Sequence, residues 1–539
     1  MLFRSALLGA LGVAPAQQQG DLLALLRMAA GALPAERHVL IVLDNLDDLV
    51  GQDVPAEVAL QTRSILETLL DAAPGARVLC TCRWPLGLGN YEKVLPVPPM
   101  AEDEALEVFL AHLQSAANQI QVRQSWAEPD GPARKLIVEL AGRHPLSLYL
   151  LARQLDGVPG MTLSRLATEA EECLLDKLKD PHAPQDETAH RHAQASMTFE
   201  LSRRHLSESA SRMFEQLSQL PDGVWCGPLA DDFIRWHELF GDDWRELLEK
   251  ELDYFGLAHY EPDEQLREHG TFVMLPPIRR FAAQKYLAGD HAQWQEKWKA
   301  FWMSRVEAWD RLLSGRLPDG LDLSAEQRAL AGQQQQLLAD RLLECNDANI
   351  QSVFEHALRT GDVQLAKGIL LGMVDYMNLS GYRVRLRTMA QGSVSLAREK
   401  GTPEDLAPML GTLGTVLSDL GDREGAKDAF EEALRIRRRL ASEHPAAFEP
   451  FVATTLNNLG TVLSDLGDRE GAKDAYRESL EIRWPLAQKW PAAYMQRFLG
   501  VLSRYVQVAP EKADDPWWTL WRQLQRSTEG KTDGESPES

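Results

Sequence analysis

Gly414 to Ala429 reads GTVLSDLGDREGAKDA, and Gly460 to Ala475 repeats it without a change. The offset of 46 residues persists through His444-Pro445 and Trp490-Pro491. A fixed period of this size means stacked helical pairs, because one pair cannot bury its apolar face alone. The first unit is set by Leu413-Gly414, Leu417, Gly421, Ala426, Phe430 and Ala433, and the second by Leu459-Gly460, Leu463, Gly467, Ala472, Tyr476 and Ser479. The small residues let two antiparallel helices approach closely, and Phe430 and Tyr476 are expected to fill the gap to the next unit. Gly421-Asp422 and Gly467-Asp468 supply the turn between the helices of each pair.

This spacing resembles the tetratricopeptide repeat, lengthened as in the kinesin light chain variety. The resemblance implies a superhelix whose concave face takes a protein or peptide ligand. On that reading Asn457 and Asn458 are candidates for contacts to the ligand backbone. Arg435 and Arg438, in the basic run that also holds Arg437 and Arg439, are candidates for contacts to acidic residues. Glu431 and Glu432 precede Arg435 by four and three residues, the spacing of pairs along one helix face, so pairing competes with ligand contact there. Helices over 362–398 and 495–525 are expected to act as degenerate neighbours and caps, with Trp517, Trp518 and Trp521 sealing the last pair. From Ser527 the chain is polar and reads as a disordered tail.

Composition excludes several classes. Asp and Glu number 79 against 57 Lys and Arg, a net charge of −22. That field repels phosphodiesters and argues against nucleic acid and anionic membranes as partners. No apolar run reaches the roughly 18 residues of a membrane span. The five cysteines include no CxxC, and Cys80 and Cys82, two apart on one face of a strand, read as small buried hydrophobes, so neither a disulfide framework nor a zinc site is indicated. Met1-Leu2-Phe3-Arg4 followed by an apolar stretch to Ala14 imitates a short signal peptide, but the stretch is read in preference as a helix with Leu2, Ala6, Leu7 and Leu11 on one face. A reducing, cytoplasmic setting is expected.

Upstream of the repeats the pattern changes. His38–Leu43 and Arg77–Cys82 read as buried strands, joined by an amphipathic crossover helix over Val58–Leu70 with Leu60, Ile65, Leu66 and Leu69. Asp44, with Asn45 and Asp47 after it, ends the first strand where open α/β sheets bind ligands and where a carboxylate orients hydrated Mg²⁺. Gly256–Tyr260 and Thr271–Met274 form an extended pair among helices, which suggests a winged helix.

In order along the chain, Leu43–Asp47 has the form of a Walker B strand end, and Thr81-Cys82-Arg83 resembles the sensor motif of the signal-transduction ATPases with numerous domains (STAND, including NB-ARC proteins). Leu140–Leu148, with Pro145, is similar to that family's glycine–x–proline motif, and Phe214–Gly223 with Met274–Ala282 to its winged helix. The resemblance implies a partial P-loop NTPase-type α/β sheet, then a helical lid and a winged helix, before the all-α tetratricopeptide superhelix. The expected boundaries are 1–100, 101–192, 193–290, 291–400 for linker helices, 401–526 for the repeats, and 527–539 for the tail. It also implies that Asp44, Asn45, Asp47, Arg83 and Pro145 surround ATP or ADP with Mg²⁺.

Three departures limit that implication. No GxxxxGK[ST] segment occurs in the sequence, and Gly530-Lys531-Thr532 lacks the first glycine and follows no strand. With 43 residues before Asp44, the P-loop strand is expected to lie ahead of Met1 or to have been lost. Asn45 replaces a water-activating carboxylate, and an amide is not a general base. Met274-Leu275-Pro276 replaces the methionine–histidine–aspartate motif that reads ADP in the family. The expectation is a protein–protein interaction scaffold, able to form homo-oligomers, and not a turning-over enzyme. The rivals are an ATP/ADP-driven switch whose P-loop is supplied upstream and a winged-helix DNA-binding regulator.

Overall fold

The structure, a computed structural model, describes residues 22–31, 39–44, 46–50, 54, 56–73, 75–82, 86–95, 97–178, 187–264, 266, 268–314, 325–511 and 514–532. The signal-like amino terminus, Asn45 and Arg83 lie outside them. Contacts divide the chain into two compact units, one comprising Met1–Val94 with His356–Ser539 and the other Leu95–Glu355.

The first unit begins with α1 (Leu22–Gly31), β1 (Val39–Leu43), α2 (Asp47–Val50), α3 (Ala56–Ala72) and β2 (Ala76–Cys80). β1 and β2 pair in parallel with Leu43 opposite Cys80, and α3 is the crossover that parallel strands require. Ile65 and Leu69 of α3 bury against Leu26, Ala29 and Ala30 of α1, while Leu60 is 65% exposed on the opposite side. The strands are not buried on both faces as the sequence suggests. Ile41, Leu43 and Val78 pack on the helices, but Leu40, Val42 and Leu79 are exposed. Among the described residues one helical layer covers one face only, and the alternation of a strand sends every second side chain to the other.

The second unit opens with α4 (Glu102–Ala111), α5 (Ala116–Trp126), α6 (Pro132–Arg134) continuing as a π-helix Lys135–Leu140, α7 (Pro145–Gly157), α8 (Leu163–Leu178) and α9 (Glu187–Arg204). Their core is Phe109, Leu136, Leu148, Leu151, Leu166 and Met197. After α10 (Glu208–Leu217) come β3 (Val224–Cys226), β4 (His259–Pro262) and β5 (Gly270–Val273), in the order β3-β5-β4 and antiparallel throughout. The strand β3 has no counterpart in the sequence reading. Three residues are too few for any periodicity to show.

α11 (Pro228–Phe233), α12 (His237–Phe240), α13 (Trp244–Leu247) and α14 (Pro276–Ala288) accompany this sheet. α15 (Ala292–Leu313) then lays Trp294, Trp298 and Trp302 at four-residue intervals along one buried stripe. Trp236 stacks on Phe301 at 5.6 Å and meets Trp302 edge-on at 5.9 Å, geometry that aromatic quadrupoles favour. α16 (Ala325–Glu344) follows, and α17 (Asp347–Thr360) spans the division between the units.

The rest of the first unit is helical: α18 (Val363–Leu379), α19 (Arg383–Lys400), α20 (Pro403–Asp419), α21 (Arg423–Glu443), α22 (Pro445–Asp465), α23 (Arg469–Lys489), α24 (Pro491–Val508) and α25 (Pro516–Thr532). The identical sequences fold identically. Gly421 and Gly467 take left-handed φ of 83° and 86°, and Asp422 and Asp468 then cap α21 and α23 by accepting from Gly425 N at 3.0 Å and Gly471 N at 2.9 Å. Gly361-Asp362 makes the same turn before α18, with Asp362 accepting from Leu365 N at 3.1 Å. α25 continues to Thr532, beyond the point at which the polar tail begins in sequence. Trp517 is buried against Trp484 and Phe498, as a seal on the last pair requires. Among the described residues no helix is long and apolar enough to cross a membrane.

Candidate functional site

Two places gather the residues singled out by sequence. The first is the carboxyl end of the parallel pair. The ladder extends one step past the strands: Thr81 N donates to Leu43 O at 3.0 Å, and Leu46 N donates to Thr81 O at 3.0 Å. This sets Asp44 beside Thr81, whose hydroxyl donates to the Asp44 carboxylate. Both side chains are exposed. Asp47 opens α2, but its side chain, like Asn45 and Arg83, lies outside the described part. Pro145 belongs to the second unit, where it takes the first position of α7 after the left-handed pair Gly142 and Arg143 (φ 61° and 57°).

One carboxylate and one hydroxyl can orient a hydrated Mg²⁺, which is normally held by one or two carboxylates together with substrate phosphates. The phosphates need donors of their own, and a nearby set is already committed. Leu86 N and Gly87 N donate to the Glu92 carboxylate at 2.7 Å each, and Leu88 N at 3.1 Å. Burial disfavours the Glu92 charge, but these N–H groups and Arg63 outweigh it and hold its pKa below the usual carboxylate range. The described residues therefore do not by themselves fit a nucleotide. Cys80 adds no nucleophile, since burial, with Cys82 and Glu92 behind it, raises its thiol to about 11.

The second place is the repeat array. α20, α22 and α24 are the first helices of successive units, and α21 and α23 the second. The first helices approach one another more closely than the second helices do, so the concave side is the one lined by first helices. Asn457 and Asn458 sit on α22, half-buried, with Asn457 Nδ2 donating a hydrogen bond to Asn458 Oδ1 at 3.1 Å, and Asn457 Oδ1 accepts from Arg504 Nη1 of α24 at 3.2 Å.

Arg435 and Arg438 point elsewhere. They line an open cleft of about 480 Å³ between α21 and α23, floored by Leu456, Leu459 and Leu463. Arg438 pairs with Glu478 across it, and Asp474 and Glu431 lie on its walls. The local pairing of Glu432 with Arg435 gives way to a bond from Arg398 of α19 to Glu432 at 2.6 Å.

Arg437, one residue from Arg438, turns inward. Its guanidinium bonds the Thr455 hydroxyl and approaches Phe451 O and Ala407 O at 3.4 Å each, between the two first helices. Burial lowers its pKa to about 10. Arg483 occupies the same position one repeat later. It is 6% exposed and donates to Ser479 Oγ at 3.3 Å and Thr454 Oγ1 at 3.0 Å. Burial, followed by the positive charges of Arg497 and Arg504, lowers its pKa, with Tyr494 opposing.

Residues 405–483 match the family model described as tetratricopeptide repeat. The carboxyl-terminal helices are tetratricopeptide repeats. No curated protein matches the sequence. Among solved structures the chain is similar to BtubC (BKLC) from P. vanneervenii, with a TM-score of 0.29 and 19% identity over 46% of this chain and 96% of that one. It is also similar to PH0952 from Pyrococcus horikoshii, a signal transduction ATPase with numerous domains that has a tetratricopeptide repeat sensor. There the TM-score is 0.29 and the identity 13%, over 96% of this chain and 81% of that one. Likeness at this level leaves the reading to the residues themselves.

Arg483, Arg497 and Arg504 are the residues that sequence reasoning missed. Two signals for them were present. Arg437 and Arg483 are separated by the repeat offset of 46, and Arg497 and Arg504 are seven apart, which places them on one face of a helix.

Proposed function

We propose that this chain is a STAND-type regulatory protein of the cytoplasm that acts by holding a protein partner in the concave groove of its repeats. The observation that carries the reading is the layer of first helices. α20, α22 and α24 approach one another along one side and present Asn457, Asn458 and Arg504 as a connected polar row. Side-chain amides spaced along a groove are suited to the backbone of a bound peptide, which has regular donors and acceptors to satisfy.

The STAND assignment is supported by the ordered motifs Leu43–Asp47, Thr81–Arg83, Leu140–Leu148 and Met274–Ala282. Asp44 beside Thr81 is the arrangement such a protein would use on the magnesium side of a nucleotide. The same observation favours the second reading, an ATP/ADP-driven switch, in which a phosphate cradle completes the site.

Peptide display selection against the full chain tests the first reading. The expected result is a set of peptides whose binding falls with Asn457→Ala and Asn458→Ala but not with Asp44→Ala. Recovery of no peptide, or of peptides indifferent to the asparagines, contradicts it. Calorimetric titration with Mg²⁺ and ATP addresses the second: micromolar binding abolished by Asp44→Ala would establish the switch.

A further inference from the structure

Cys80 and Cys82 read from sequence as two small hydrophobes on one face of a strand, and the structure keeps them on one face. The ladder runs on past Cys80, since Thr81 N donates to Leu43 O and Leu46 N to Thr81 O at 3.0 Å each. Alternation then sends Thr81 to the side of Asp44 and both thiols to the other. There the two cysteines pack, half-buried, against one apolar cluster of Leu46, Val50, Leu66, Leu86 and Leu88. The other three stand singly, Cys173 on α8, Cys226 on β3 and Cys345 after α16, and none of the five is in a disulfide.

Spacing and donor count decide what such a pair can hold. Residues two apart on a strand stand about 6.6 Å from each other. A disulfide brings its Cβ atoms to about 3.8 Å, so the thiols do not close on each other while the ladder stands, whereas one ion set between the sulfurs spans the gap. Zinc takes three or four protein ligands, and no group of three or more His, Cys, Asp or Glu able to hold a metal occurs among the described residues. The Glu92 carboxylate is taken up by the N–H groups of Leu86, Gly87 and Leu88. Two sulfurs on an apolar wall suit a soft ion content with two ligands in a line. Burial, with Cys82 and Glu92 behind it, raises the Cys80 thiol to about 11. A proton held so firmly yields to a cation that bonds covalently to sulfur, and not to Mg²⁺ or another hard ion.

We propose that Cys80 and Cys82 form a two-sulfur site for a soft monovalent cation of the copper(I) class. On binding, two S–H bonds break, two metal–sulfur bonds form and both protons pass to solvent, with no change of oxidation state. The ion ties the end of β2 to the residue pair after it, on the side of the strand opposite Asp44 and Thr81. The site is independent of the peptide groove, so neither reading falls with the other.

The test is titration of the reduced full chain, without oxygen, with Cu(I) buffered by bicinchoninate, whose colour fades as copper moves to the protein. One copper per chain is expected. Because even an outer-shell partner is worth about 10–100-fold in metal affinity, Cys80→Ser and Cys82→Ser are each expected to weaken binding at least about hundredfold. Cys345→Ser is expected to leave it unchanged, and Zn²⁺ is expected not to compete. X-ray absorption at the copper edge of the parent, which needs no variant to fold, is expected to show two sulfur neighbours and no nitrogen or oxygen. No copper drawn from the chelator, uptake indifferent to Cys80→Ser and Cys82→Ser, or binding lost in Cys345→Ser overturns the proposal. A nitrogen or oxygen neighbour at the copper, or displacement by Zn²⁺, also overturns it.

Discussion

The ring of Phe430 lies against the Cα of Gly414 in its own repeat, and Tyr476 lies against Gly460 in the same way one repeat later; a Cβ at either glycine would come within 2.8 Å of the ring. The large side chain thus closes the helix pair it belongs to, where the sequence pattern had placed it across the boundary to the next unit. Tyr476 is fixed further by its hydroxyl, 3.0 Å from Thr461 Oγ1. Gly414→Ala is expected to destabilise the array by about 1–3 kcal/mol, the usual cost of overpacking a core. Urea unfolding followed by circular dichroism checks it, and an unchanged midpoint would mean that the pair is looser than described.

Asp405 governs the entry to the repeats. It is 4% exposed, accepts from Gln364 Nε2 at 2.9 Å and from Thr402 Oγ1 at 3.0 Å, and pairs with Lys367 of α18. Burial raises its pKa, but Lys367, Gln364 and Thr402 overcome this and hold it at about 2 against an ordinary 3.8. A depressed carboxylate stabilises the fold above its unfolded pKa, and that contribution disappears as pH falls through the folded value. Asp405→Asn should therefore cost about 2–3 kcal/mol at pH 7. The gap between variant and parent should narrow from about pH 4 downward. Denaturant midpoints measured at several pH values report both effects, and a gap independent of pH would remove the ion pair from the explanation.

The uncovered face of the parallel pair predicts a contrast. Leu40 and Leu79 are 62% and 47% exposed, while Leu69 is fully buried beneath the other face. Leu40→Thr and Leu79→Thr should each change stability by less than about 0.5 kcal/mol, whereas Leu69→Ala should cost about 2–5 kcal/mol. Comparable losses at all three positions in unfolding experiments would show that something covers that face.

The repeats were legible because a duplicated sequence declares its own period, and the turns followed from Gly421-Asp422 and Gly467-Asp468 alone. The face to which each arginine points was not legible. Arg437 and Arg438 are adjacent in sequence yet go to opposite layers, since neighbouring residues on a helix diverge by about 100°. Only the packing of α22 between α21 and α23 decides which of them is inside. The strands failed differently: Leu40, Val42 and Leu79 are as apolar as their buried neighbours, and no local pattern shows that, among the described residues, the sheet receives one helical layer. β3 is held by pairing with β5, a long-range contact that three residues cannot announce.

Hydrogen–deuterium exchange on the full chain, with and without a display-selected peptide, tests the central claim most directly. Slowed exchange within 450–464 and 491–508, with 39–50 and 76–82 unchanged, is the predicted result. Protection confined to the strand ends around Asp44, or to the second helices around Arg435 and Arg438, would contradict it.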